Sequence, residues 1–270
     1  MAITSFIPEI WAARLLEHYN RAGVFAQLVN RNYEGEISQY GDTVHINSLE
    51  DVTVKDYTPN TEIDDPEQLT TVDQTLVIDH GKYYNFYVDD VDAVQARGDL
   101  MDAAMRNAAR LLAEDTEDYI IDAMVAGAGV KTGLTGAVTA ENVYAEILKI
   151  KTALDKNNVP REGRWLAVPP EVEGFLLQNN LVVSTNGQTT TNDLTGGKIG
   201  RVAGFDVHVS TALTGKMIAS NNEATTFANQ LTKTEAYRAE KRFADGIKGL
   251  NLCGVKVTNP DAVALYTISA

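Results

Sequence analysis

Residues 99–126, DLMDAAMRNAARLLAEDTEDYIIDAMVA, are the longest helical signal in the chain. Met101, Met105, Ala108, Leu112, Tyr119 and Ala123 recur near helical spacing, and further alanines thicken the stripe. Asp99 and Asp102 suit the positive end of a helix dipole, and Gly127 and Gly129 mark the stop. About 28 residues rising 1.5 Å each make a rod of roughly 42 Å, far longer than an average helix. A rod of that length predicts a spine around which the rest of the chain is arranged.

Upstream of the rod the pattern changes to β. Thr43–Asn47 and Val52–Tyr57 alternate, while Thr75–Ile78 and Tyr83–Val88 are rich in β-branched and aromatic residues. Between them lies the polar, turn-prone stretch Pro59–Pro66. The simplest arrangement is a long β-hairpin with an acidic tip, too poor in apolar residues to be stable without a surface to rest on. Before it, residues 8–20 read as an amphipathic helix, with Pro8 in its first turn and Ile10, Trp11, Leu15 and Leu16 on one face. Downstream, Ala140–Asn157 is a second amphipathic helix, Trp165–Val168 a short buried strand, and Pro169-Pro170 the opening of a helix carrying Val172, Phe175 and Leu176. Residues 184–197 form a Gly/Thr/Asn-rich loop. Strand-like segments follow at Phe205–Val209, Ala224–Leu231, Ala236–Phe243 and Leu250–Val257. The order is hairpin, long helix, then mixed α+β, with no internal repeat.

The 270 residues are 44% hydrophobic and 22% charged, an ordinary globular composition. One cysteine, Cys253, excludes an internal disulfide framework, and the four histidines form no helical metal pair. No apolar run approaches the roughly 18 residues of a membrane span. The net charge of −14 is unevenly placed: residues 1–135 hold 9 basic against 24 acidic side chains, residues 136–270 hold 14 against 13. Residues 50–73 are the densest patch, with eight acids and only Lys55 opposing them. This balance argues against gripping nucleic-acid phosphates, which takes a basic face. It fits a solvated surface, or a polar contact with a more basic surface such as Lys233–Lys248, which carries five bases and three acids.

Catalytic constellations are lacking. Gly127-Ala-Gly-Val-Lys-Thr-Gly133 has glycines resembling a dinucleotide loop, but it follows a helix rather than a strand and its third glycine is one residue late. Gly197-Lys198 and Gly215-Lys216 lack the hydroxyl residue a phosphate loop needs for magnesium. Asp89-Asp-Val-Asp92 is not followed by Gly and Glu at calcium-loop spacing, so it reads as the acidic approach to the long helix. His45 and His80 lie near strands that could approach each other, where a solvent-facing or hydrogen-bonded histidine is the simpler reading than a ligand pair. Cys253 falls in a buried strand, the place of an inert thiol. No catalytic residue, cofactor or metal site is expected.

Several stretches together resemble the major capsid proteins of tailed bacteriophages. Phe6–Leu16, Tyr33–Ile37 and Gly41–Ile46 are similar to the N-terminal region of that family, Gly197–Ser210 to its glycine-punctuated strand entry, and Glu235–Asp245 with Gly249–Val257 to its C-terminal strands. The resemblance spans nearly the whole chain in the family's order. It implies an α+β Hong Kong 97-type phage capsid fold with an N-terminal arm, an extended β-hairpin loop, a long spine helix and a mixed α/β axial domain. The expected divisions are 1–35 for the arm, 36–90 for the loop, 91–134 with 223–248 for the peripheral domain, and 135–222 with 249–270 for the axial domain, whose 184–197 loop would point to the capsomer centre.

The resemblance implies a shell subunit whose copies form pentamers and hexamers of an icosahedral head in the virion, enclosing double-stranded DNA without sequence-specific contacts and touching no membrane. A separate scaffolding protein is expected because the arm begins near Met1, with a portal and decoration proteins as further partners and the host bacterial cytoplasm as the place of assembly. Lys55 is the only lysine between 36 and 81, and no covalent cross-link through it is expected. The charge split adds an inter-subunit contact. Acidic Glu50, Asp51, Asp56, Glu62, Asp64, Asp65 and Glu67 of the loop would lie over Arg238, Lys241 and Arg242 of a neighbour. The alternatives are an encapsulin-type compartment shell, which shares the fold, and a soluble α+β enzyme with an acidic cleft.

Overall fold

The computed structural model describes residues 23–33, 41–49, 71–89, 100–179, 198–238 and 244–269, with positions 53, 54, 56, 59, 62, 65, 67 and 68 between them. The helices are α1 (Phe25–Leu28), α2 (Leu100–Gly127), α3 (Val143–Lys156) and α4 (Pro170–Gln178). The strands are β1 (Thr43–Leu49), β2 (Thr71–Val77), β3 (His80–Asp89), β4 (Thr135–Gly136), β5 (Arg164–Val168), β6 (Lys198–Val202), β7 (Phe205–Val209), β8 (Lys216–Asn221), β9 (Thr225–Arg238), β10 (Ala244–Val257) and β11 (Ala264–Ile268).

The largest sheet has the order β4-β11-β8-β5-β7-β6. Its centre is β5, buried at all five positions and paired parallel to β7 and antiparallel to β8. Continuous burial explains the unbroken apolar run Trp165–Val168, because a strand covered on both faces has no polar side to alternate with. The buried stripe of α3, Val143, Ile147, Ile150 and Leu154, joins the same core as Trp165 and Tyr266. Tyr266 donates its hydroxyl to Glu146 Oε2 at 2.9 Å, which gives a polar partner to the one charged group in that stripe.

The second sheet, β3-β10-β9, is antiparallel and built from long strands. One face lies on α2 through Met105, Ala109, Leu112, Ala113 and Ile247, with Tyr84 and Phe86 beside them. Further along, Ile120, Ile121 and Met124 of α2 enter the core of the large sheet. One helix therefore contributes to two cores, the work a spine performs. The register of β9 against β10 shifts between Leu250 and Asn251, stepping past Thr232, and a bulge there increases the local twist.

The β1–β2 hairpin packs over part of the other face. Val44, Ile46, Leu76 and Ile78 form a small core with Ala228 and Leu252. A Cβ on Gly254 would lie 2.4 Å from the Val77 carbonyl oxygen, so the close approach of hairpin and sheet requires glycine there.

Three expectations are modified. Tyr83–Val88, grouped with the 36–90 loop, belongs to β3, which pairs with β10 instead of the hairpin. The expected boundary at 248/249 falls inside the continuous strand β10. Ala224–Leu231 and Ala236–Phe243 are not two strands: one strand, β9, runs from Thr225 to Arg238. The arm helix at 8–20, the second hairpin segment at 52–57 and the 184–197 loop lie wholly or mostly outside the described residues.

Candidate assembly interface

The hairpin divides into a base and a tip. At the base, the alternation of β1 turns Val44 and Ile46 inward and Thr43 and His45 outward, and the register places Val44 opposite Leu76 and His45 opposite Thr75. On the outward face His45 Nδ1 lies 2.8 Å from Asp73 Oδ2, an exposed diagonal pair. The tip carries the acids. Asp56, Glu62, Asp65 and Glu67 are all exposed, and Val54 is 94% exposed. Glu67 reaches across to accept from Thr53 N and Thr53 Oγ1, both at 3.2 Å, so one carboxylate ties the two arms of the tip together.

Arg238 is exposed at the end of β9, opposite Asp245. Ala228, which the hairpin base covers, lies ten residues earlier, about 33 Å along an extended strand. The hairpin base and Arg238 therefore occupy opposite ends of one sheet. Glu50, Asp51, Asp64, Lys241 and Arg242 lie outside the described residues.

Between those ends the outer face of the sheet is open. Tyr83 (79% exposed), Tyr87 and Leu250 stand on it, and a cleft of about 320 Å³ is lined by Tyr83, Asn85, Glu235, Lys248 and Leu250. Lys248 pairs with Glu235 at 2.9 Å, and Tyr237 donates its hydroxyl to Asn85 Oδ1 at 2.7 Å. Alternating exposed aromatics among satisfied polar groups make a surface suited to a protein partner rather than to a reacting small molecule.

Two contacts that periodicity could not reveal hold the elements around this surface. Glu117 of α2 accepts from the backbone N–H groups of Val24 and Phe25, which anchors the segment entering α1. Burial raises its carboxyl above the ordinary value, with the two backbone donors pulling the other way. Asp115, one turn earlier than Tyr119 on the same helix, faces His80 and Lys82 of β3. His80 and His45 do not meet as a pair, since each has a different aspartate.

The remaining chemical candidates resolve into packing. Gly127 ends α2, and a Cβ there would lie 2.7 Å from Val257 Cγ2, so this glycine serves close helix–strand contact. Cys253 is 1% exposed, and burial pushes its thiol up to about 12, far from a thiolate nucleophile. Among the described residues no cluster of three or more His, Cys, Asp or Glu could hold a metal ion, and no helix is long and apolar enough to cross a membrane.

A family model described as phage capsid protein matches residues 72–267. A chain solved from Mycobacterium phage Che8 is 30% identical, with a TM-score of 0.73 over 90% of both chains. The capsid of cyanophage P-SCSP1u is 17% identical, with a TM-score of 0.71 over 92% of this chain and 88% of that one. A virus-like particle from Pyrococcus furiosus is 14% identical, with a TM-score of 0.63 over 96% and 98%. The last two likenesses are of fold alone. No curated protein sequence matches the chain. The expected α+β, Hong Kong 97-type architecture is the observed one.

Proposed function

Because this chain belongs to the phage capsid protein family and is a structural shell protein of the virion rather than an enzyme, we propose that its copies form pentamers and hexamers of a closed icosahedral head around double-stranded DNA. The observation that carries this reading is the extent of the family match, from β2 through β11. DNA is confined rather than read, consistent with a net charge of −14. A scaffolding protein, a portal and decoration proteins are the further partners, and the host bacterial cytoplasm is the place of assembly. In this reading 1–35 is the arm, the loop spans 36–79, the peripheral domain joins β3 and α2 to β9 and β10, and the axial domain is the six-stranded sheet with α3 and α4.

The acidic loop residues Glu50, Asp51, Asp56, Glu62, Asp64, Asp65 and Glu67 meet Arg238, Lys241 and Arg242 of a neighbouring subunit. Exposed ion pairs contribute at most about 1 kcal/mol each, so this contact serves register and assembly rate more than strength. Tightness comes from closure, in which many modest contacts reinforce one another.

The test is to express the chain alone and with its candidate scaffold, separate by size exclusion, and image the leading fraction by negative stain. Closed shells or capsomer rings are expected. A small oligomer that ignores scaffold overturns the proposal. Shells that close without scaffold and enclose a co-purifying cargo protein favour the encapsulin-type alternative, which shares the fold.

A further inference from the structure

Strand β2 ends at Val77 and β3 begins at His80, so Ile78 and Asp79 alone join the hairpin to the sheet. Ile78 is buried in the small core beneath the hairpin, while Asp79 of the joint and His80 and Lys82 beyond it reach α2. Tyr119 donates its hydroxyl to Asp79 Oδ1 at 2.6 Å. His80 Nε2 lies 2.6 Å from Asp115 Oδ2, and Lys82 Nζ lies 2.9 Å from Asp115 Oδ1. The His80 ring stacks on Tyr119 with centroids 4.2 Å apart and planes 14° from parallel. Asp115 and Tyr119 are four residues apart, so they project from one face of α2 one above the other. The joint is thus held at consecutive points by two side chains of the spine, and both oxygens of one carboxylate are committed.

We infer that this cluster is an acid-sensitive latch: Asp115, by gripping His80 and Lys82 together, fixes the direction in which the hairpin leaves the sheet, and its protonation frees the joint. The groups facing Asp115 are His80 and Lys82 from β3, Cys253 from β10, and Asp118 and Tyr119 from its own helix, with Asp79 bound beyond Tyr119. Of these, His80 and Lys82 favour the charged carboxylate. Burial works to raise the Asp115 carboxyl, but the hydrogen bonds and charges of His80 and Lys82 outweigh it and hold it below the ordinary 3.8. A carboxyl depressed in the folded state stabilises the contact above its unfolded pKa and loses that contribution as pH falls through the folded value. The latch is therefore closed at neutral pH and opens only in acid below the ordinary 3.8 of a carboxyl.

Hydrogen exchange on the full chain tests this, with wild type and variants held in the same assembly state and rates corrected for intrinsic pH dependence. In Asp115→Asn at pH 7, amides of residues 71–82 are expected to exchange at least tenfold faster than in wild type, while those of α3 are unchanged. Wild type should rise to the variant's level as pH is lowered through the folded value, which lies below 3.8, and the variant's own profile should be flat over the same range. Equal exchange in variant and wild type at pH 7, or an increase shared by α3, overturns the proposal. Should Asp115→Asn not fold, Tyr119→Phe removes only the Asp79 bond. It is expected to speed exchange of 71–82 several-fold with the acid response retained, and loss of that response in a folded variant also overturns the proposal.

Discussion

Glu117 occupies the middle of the long helix, buried, with one oxygen shared between the N–H groups of Val24 and Phe25. Its work is that of an acceptor, and the charge it carries is costly at that depth. Because burial raises its folded pKa above the ordinary 4.5, the folded chain holds this proton more tightly than the unfolded one. Its contribution to stability is greatest in acid and declines as pH rises through the folded value. Glu117→Gln, which keeps a carbonyl oxygen in place, should leave stability at pH 7 unchanged or up to about 1 kcal/mol higher. Glu117→Ala, which strands two buried donors, should cost about 2 kcal/mol or more. Urea unfolding of the unassembled chain distinguishes them, and equal losses would show that the charge itself matters. Sequence offered no means of separating Glu117 from its acidic neighbours, since its burial comes from residues 92 and 93 positions away. The same holds for Asp115: His80 was legible as a strand histidine, but the carboxylate that fixes it is 35 positions on.

At the scale of elements, the legible parts are those whose pattern is local. The long helix expected at 99–126 runs from Leu100 to Gly127, and α3, β5, α4 and β7 lie where periodicity placed them. Strands β8 and β11 carry no local signal. Lys216–Asn221 is buried at five of six positions, so it lacks the alternation that marks a half-exposed strand. Ala264–Ile268 is five residues long and takes its place through pairing with β8 and β4. The pattern of Tyr83–Val88 marks a strand but not its partner: sequence neighbours suggest a hairpin, while the strand pairs with β10. The acidic tip was legible as composition, yet nothing local distinguished Glu67, which braces the tip, from the acids around it. The two cores that α2 serves differ in size, and this gives a prediction. Ile120→Ala, in the large core, should cost about 3–4 kcal/mol, and Leu112→Ala, in the small one where neighbours can close in, about 2–3 kcal/mol. Denaturant titration of both variants checks the order, and reversal would mean that the smaller core is the more rigid.

At the scale of the whole molecule, the proposed charge contact between copies gives a prediction. Reversing Arg238, Lys241 and Arg242 together to glutamate places like charge opposite the acidic loop. The variant is expected to fold, to assemble several-fold more slowly at low salt, and to reverse the sign of the salt dependence expected of wild-type assembly. Light scattering at 50 and 300 mM salt reads both effects, and unchanged kinetics would remove the charge contact from the proposal. The pairing of β3 with β10 has a consequence of another kind. Phe86 finds its place only when Ile247 arrives from the far end of the chain, so closing this sheet demands a large loop and is slow compared with forming the hairpin or the helix. Until it closes, the ground on which the hairpin rests does not exist, and neither does the aromatic face beside it. A chain caught midway through folding thus offers its neighbours an unfinished surface. Recruitment is therefore expected only once the strand from the far end of the chain has arrived.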